Sequence, residues 1–103
     1  MKVQLNTDSH VQHDPSVQRH VETAIEHSLG RFRDQITRVE VHLSDVNAGK
    51  PGNDDKRCLI ETRLEGRPPV TASDDADTVK AAVDGAARKM QRVLDSALGK
   101  LQQ

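Results

Sequence analysis

Residues 78–101 read Thr78-VKAAVDGAARKMQRVLDSALGK-Leu101, and their periodicity decides the fold. Val79, Val83, Ala86, Met90, Val93, Leu94, Ala97 and Leu101 recur mostly at steps of three and four, the spacing of one face of an α-helix. The opposite face carries Lys80, Asp84, Arg88, Lys89, Gln91, Arg92, Asp95 and Lys100. A long helix with one dry stripe must lay that stripe on something. The rest of the chain has to supply that surface, and its pattern fits a small sheet plus a second helix.

Upstream, alternation replaces the helical period. Lys2 to Thr7 places Val3 and Leu5 on one side and Lys2, Gln4 and Asn6 on the other, which predicts a half-buried strand. Asp14-Pro15 is a helix start, with a capping carboxylate and a proline where the missing N–H costs nothing. Val17, Val21, Ala24, Ile25, Ser28, Leu29 and Phe32 form the stripe of that helix, with Gly30 interrupting it and an end by about Asp34. A second strand begins at Ile36, where Val39, Val41 and Leu43 alternate with Arg38, Glu40 and His42.

Asp45 to Asp55 is rich in Asn, Gly and Pro and reads as a long, mobile hairpin loop. Lys56 to Glu65 is a third strand, with Cys58, Ile60, Thr62 and Leu64 inward. After Gly66-Arg67-Pro68, Pro69 to Ser73 is a short fourth strand with Val70 and Ala72 inward, near an edge because proline lacks a ladder donor. Asp74-Asp75-Ala76-Asp77 is expected to open the last helix, where negative charge suits the dipole, and Gly99 to Gln103 to fray. The order β-α-β-β-β-α makes an α+β fold. Its first helix joins two parallel strands, giving a four-stranded mixed sheet with two helices on one face and the other face wet.

Length and composition narrow the function. At 103 residues, one domain over 1–103 is expected. No apolar run is long enough to span a membrane, no signal core is visible at the start, and the single cysteine cannot form an internal disulfide. A soluble cytoplasmic protein is the default. Net charge is -1, so nucleic-acid binding would require cations segregated onto one surface. With one Phe and neither Tyr nor Trp, stacking of single-stranded bases is nearly excluded.

Catalytic and metal patterns are weak. His13, His20 and His27 are spaced by seven, about 10 Å along a helix axis, too far to share one ion. His10 and His13 with Asp8 and Asp14 could gather a metal, though ordinary surface histidines are the simpler reading. Cys58 falls on the inward register and reads as an inert thiol. Residues 48–52 lack the spacer, hydroxyl and helix of a phosphate loop, and the acidic run at 74–77 lacks the rest of a calcium loop. No enzyme, metal, cofactor or small-molecule substrate is expected.

The basic residues remain. Arg88, Lys89 and Arg92 lie on adjacent turns, extended by Lys80 and Lys100. Arg19, Arg31 and Arg33 decorate the first helix, and the wet strand face offers Lys2, Arg38, Arg57 and Arg63, with His42 as a further candidate. Because Glu22, Glu26, Glu40, Glu61, Asp84 and Asp95 are interleaved, charge pattern alone favours an ordinary solvated surface. Were these cations to bind nucleic acid, they would read the phosphates and 2′-hydroxyls of structured RNA.

The ordered pieces nevertheless resemble one family. They are a short first strand, Val11 and Asp14-Pro15 leading to Leu29-Gly30-Arg31-Phe32, then Ile36 to Ser44, then Pro69-Val70-Thr71-Ala72-Ser73 with the acidic run, then Ala81-Ala82-Val83-Asp84. Together the chain resembles the ribosome hibernation-promoting factor and ribosome-associated inhibitor family, also called ribosomal subunit interface or sigma-54 modulation proteins. The resemblance implies the fold above, similar to double-stranded-RNA-binding domains. It also implies binding to the small ribosomal subunit in the mRNA–tRNA channel under stress or in stationary phase, inhibiting by occupancy.

The residues expected to contact ribosomal RNA are Arg88, Lys89, Arg92, Arg38, Arg63 and Lys80. The chain departs from the family where Asp95-Ser96-Ala97 replaces further basic residues. Ending at Gln103, it is expected to be a short form without a C-terminal dimerisation domain, and a monomer off the ribosome. The alternative is a protein–protein regulatory module of the same fold that has lost strong RNA binding.

Overall fold

The computed structural model describes residues 1–9, 11, 13–46 and 56–98. The alternating segments form strands β1 (Lys2–Thr7), β2 (Ile36–Asp45), β3 (Lys56–Leu64) and β4 (Val70–Ala76). They make one sheet in the order β1-β2-β3-β4, with β1 parallel to β2 and the other pairs antiparallel. The helices are α1 (Pro15–Leu29) and α2 (Val79–Leu98), and both pack on the same side of the sheet. The expected α+β order and mixed sheet are therefore present. The hairpin loop beyond Val46, His10, Leu101 and the fraying terminus lie outside the described residues.

Local chemistry accounts for the boundaries. Asp14 is extended, and its carboxylate accepts hydrogen bonds from the Val17 amide (2.9 Å) and the Ser16 hydroxyl (2.7 Å), with Pro15 at the first helical position. α1 stops at Leu29, and Gly30–Phe32 tighten into one 3-10 turn that drops Phe32 into the core at 1% exposure. Between Ile36 and Arg38 the β2–β3 register shifts. That irregularity changes the alternation phase, so Ile36 and Val39 both point inward. Gly66, at φ 72°, makes the turn from β3 towards β4.

The core is one layer between sheet and helices. Val21, Ile25 and Leu29 of α1, Val39, Val41, Cys58 and Ile60 of the sheet, and Val83, Ala86, Met90 and Leu94 of α2 are all fully buried.

Two expectations about the last helix need correction. The acidic run does not open it. β4 continues to Ala76, with Asp74 paired opposite Cys58 and Asp75 opposite Arg57. α2 starts later, where the Thr78 hydroxyl accepts the Ala81 amide at 3.1 Å. Strand pairing with β3 and salt bridges on both faces hold Asp74 and Asp75 in the ladder, and these outweigh any preference for a helix N-terminus.

The buried stripe of α2 is also wider than periodicity of large residues suggests. Ala82, Gly85, Ala87 and Leu98 are buried, whereas Val79, Val93 and Ala97 are only half-buried. The helix is wedged against β3 and β4 on one side and α1 on the other, so small residues as well as large ones are buried.

One of these small residues is Gly85. A Cβ there would collide with the Asp74 carboxylate. Alanine normally stabilises a helix interior relative to glycine by about 1 kcal/mol. At this position the sign should reverse, with Gly85→Ala lowering unfolding stability by roughly 1–3 kcal/mol through overpacking. Thr62 offers the opposite case, being fully buried on the core face with a hydroxyl oxygen that has no partner among the described residues. Thr62→Val keeps the shape and removes the orphaned group, so urea denaturation should show a gain of about 1 kcal/mol.

Candidate nucleic-acid interface

α2 and α1 lie side by side, and a groove of about 390 Å³ runs between them. Ala24, Ser28 and Ala87 floor it, and His27, Arg88 and Gln91 stand along it. The outward side of α2 carries Lys80, Arg88, Lys89 and Arg92, all exposed. The question raised by a chain of net charge -1 is where the interleaved acids go.

Three acids beside this side are each tied to a side chain on another element. Asp84 meets His20 of α1, Nε2 to Oδ1, at 2.8 Å. Asp95 pairs with Arg31, whose guanidinium also lies 4.6 Å from the centre of the Phe32 ring. Asp74 accepts Lys89 Nζ at 2.8 Å, and the same amine donates to the Ser73 carbonyl at 3.2 Å. Lys80, Arg88 and Arg92 make no hydrogen bond or ion pair among the described residues. Arg88 and Arg92 are one turn apart, about 6 Å along the axis. Lys80 lies two further turns towards the N-terminus, where its charge helps to hold the Asp14 carboxyl low, behind the larger effects of the Val17 and Ser16 hydrogen bonds.

Arg38 and Arg63 are on the other side of the molecule. They face each other across β2 and β3 on the open sheet surface, in one row with Lys2. The next row holds Glu40 and Glu61. Arg38 binds Gln4 and lies 3.8 Å from Glu40, while Arg63 reaches Glu40 at 3.4 Å and Glu61 at 3.2 Å. Arg63 holds the Glu61 carboxyl below its ordinary range. Two arginines and two glutamates thus form a neutral quartet.

The six residues nominated from the sequence therefore do not form one site. Lys80, Arg88 and Arg92 lie along α2 without ion pairs of their own, with Asp84 between Lys80 and Arg88, and Lys89 sits to one side in a salt bridge with Asp74. Arg38 and Arg63 belong to a neutralised patch on the opposite surface. The sequence did not point to His20, Arg31, Asp74 or Asp75 as the groups that sort these charges. Their partners are far away along the chain, His20 and Asp84 being separated by 64 residues.

Cys58 is fully buried, and burial, with the nearby Asp74 charge, pushes its thiol up to about 12. A thiol so held is a poor nucleophile. Among the described residues no group of three or more His, Cys, Asp or Glu could hold a metal. No helix among them is long and apolar enough to cross a membrane.

The family model of the Sigma 54 modulation protein / S30EA ribosomal protein matches residues 5–102. A ribosomal subunit interface protein from Coxiella burnetii is similar in structure, with a TM-score of 0.76, 18% identity, and 94% of this chain and 97% of that one covered. The N-terminal domain of Protein Y from Thermus thermophilus is similar at a TM-score of 0.75 and 21% identity, covering 94% of this chain and 99% of that one. At these identities the likeness shows the fold. No curated protein matches the chain.

The salt bridges carry an acid signature. Arg57 donates to both carboxylate oxygens of Asp75, at 2.8 and 3.0 Å, and this lowers the Asp75 pKa below the ordinary 3.8. A carboxyl lowered in the folded state contributes stability that is whole above its unfolded value and is lost as pH falls through the folded one. Urea midpoints measured from pH 6 to pH 2 should therefore hold steady down to about pH 4 and then fall. In Arg57→Gln the part of that fall due to Asp75 should shrink, because its folded and unfolded values converge.

Proposed function

The chain belongs to the Sigma 54 modulation protein / S30EA ribosomal protein family, and we propose that it is a ribosome-associated translation inhibitor. In this reading it binds structured RNA of the small ribosomal subunit through the outer side of α2. The observation that carries this is the sorting of charge. Asp95 is neutralised by Arg31 and Asp84 is hydrogen-bonded to His20, while Lys80, Arg88 and Arg92, on a rigid helix, make no ion pair of their own among the described residues. A fixed row of cations without aromatic neighbours suits phosphates and 2′-hydroxyls, which report shape rather than base sequence.

Such binding inhibits by occupancy. A domain lodged in the mRNA–tRNA channel under stress or in stationary phase excludes ligands that need the same space and carries out no chemistry of its own. It acts in the cytoplasm, as a monomer off the ribosome, without a cofactor. The names of the two structural neighbours, a ribosomal subunit interface protein and Protein Y, support a ribosomal partner.

A second reading rests on the open sheet surface. Its cations are neutralised by Glu40 and Glu61, and Leu59 is 38% exposed beside them. Such a surface suits a protein partner better than RNA. Salt separates the two readings, since each phosphate neutralised steepens the fall of log affinity with log salt by roughly 0.7–0.9.

Co-sedimentation with purified small subunits tests the proposal. The wild type should co-migrate at low salt and dissociate as salt rises. Arg88→Glu with Arg92→Glu should lose binding by at least about tenfold while the thermal transition is kept, because both side chains are exposed and unpaired. Undiminished binding by that variant would remove α2 as the contact surface. Binding that is indifferent to salt would favour the protein-partner reading.

A further inference from the structure

We propose that Asp74 masks Lys89, so that this cation is withheld from RNA and the affinity of the α2 surface is set below what its sequence suggests. The inference rests on the RNA-binding reading above. It also reassigns a residue whose place in the helix pattern makes it look like a contact.

Three observations converge on it. Lys89 Nζ donates to Asp74 Oδ1 at 2.8 Å and to the Ser73 carbonyl at 3.2 Å, so two acceptors on β4 hold one amine. The Asp74 side chain is only 26% exposed and lies against Gly85, where a Cβ would overlap it, so the carboxylate is pinned by packing. Lastly, the cations on the same helix that point away from β4, Arg88 and Arg92, have no such partner among the described residues. An amine already neutralised by a fixed carboxylate holds few condensed counterions to exchange. A phosphate approaching it would meet the Asp74 charge as well.

The masking follows from the boundary of β4. Had the strand ended at Ser73 and the acids opened the helix, Asp74 would cap amides and Lys89 would be free. Because the strand runs on to Ala76, its two acids face opposite sides of the sheet. Asp74 neutralises Lys89 on the helical side and Asp75 neutralises Arg57 on the open side. The β4 edge is then the limit of the RNA footprint, which extends over α2 towards the α1 groove.

A double-mutant cycle with purified small subunits, titrated across salt, tests this. Asp74→Asn keeps the side-chain shape against Gly85 while removing its charge. It should tighten binding roughly three- to tenfold at low salt and steepen the log–log salt slope by about 0.7–0.9, one added phosphate contact. Lys89→Gln should bind within about twofold of wild type. In the Lys89→Gln background, Asp74→Asn should have no effect beyond about twofold.

The proposal is overturned if Lys89→Gln weakens binding as much as Arg88→Gln does. It is equally overturned if Asp74→Asn tightens binding to the same extent with and without Lys89, since that would be general repulsion. Thermal transitions of all variants show whether each folds. Full retention of binding by the Arg88 and Arg92 charge reversals would instead defeat the RNA-binding reading itself, which keeps the two failures apart.

Discussion

The approach of α2 to the sheet is the constraint on which the remaining features depend. Ala82, Gly85, Ala86 and Ala87 are nearly devoid of side chain and fully or almost fully buried. Larger residues would lift the helix off β3 and β4. At Gly85 the space left by the missing side chain is filled by the Asp74 carboxylate of β4. That contact and the buried stripe of Val83, Ala86, Met90 and Leu94 together set the rotation of α2 about its axis. Rotation then decides which polar residues meet α1, which meet β4, and which meet solvent.

Seen this way, charge on α2 is distributed by geometry rather than by composition. Asp84 and Asp95 point towards α1 and find His20 and Arg31. Lys89 points towards β4 and finds Asp74. Arg88 stands at the rim of the groove beside α1, and Arg92 is exposed to solvent. Surface ion pairs of this kind contribute little stability, roughly 0–1 kcal/mol each. Their effect is on the field, because pairing Asp95 with Arg31 leaves Arg88 and Arg92 as net positive charge on this part of α2 in a chain of net charge -1. The open sheet surface solves the same problem differently, by pairing Arg38 and Arg63 with Glu40 and Glu61 within one face.

Much of the fold was legible in the sequence, and particular residues show why. Alternation at Val39, Val41 and Leu43 and at Cys58, Ile60 and Thr62 located β2 and β3, since period two is unambiguous when one face is buried. Asp14-Pro15 located the start of α1 because capping is local chemistry. The end of β4 was not legible. Asp74 and Asp75 have poor strand propensity and good helix-start propensity, and only their partners Lys89 and Arg57, 15 and 18 residues away, hold them in a ladder. The width of the α2 stripe was hidden for a related reason, since Ala82, Gly85 and Ala87 look neutral until their neighbours are known. The basic residues were legible as individuals but not as a site, because sequence does not show which acid each one meets.

The central claim is that α2, not the open sheet, faces RNA. A directed cleavage experiment tests it most directly. An iron chelate is tethered through Ser96→Cys on the exposed side of α2, or through Thr71→Cys on the open surface, and hydroxyl radicals are generated on the small subunit. The native Cys58 is fully buried and should not react with the tether. The account predicts cleavage of ribosomal RNA from position 96 and little from position 71. Strong cleavage from position 71 with none from position 96 would contradict it and place the sheet against the RNA.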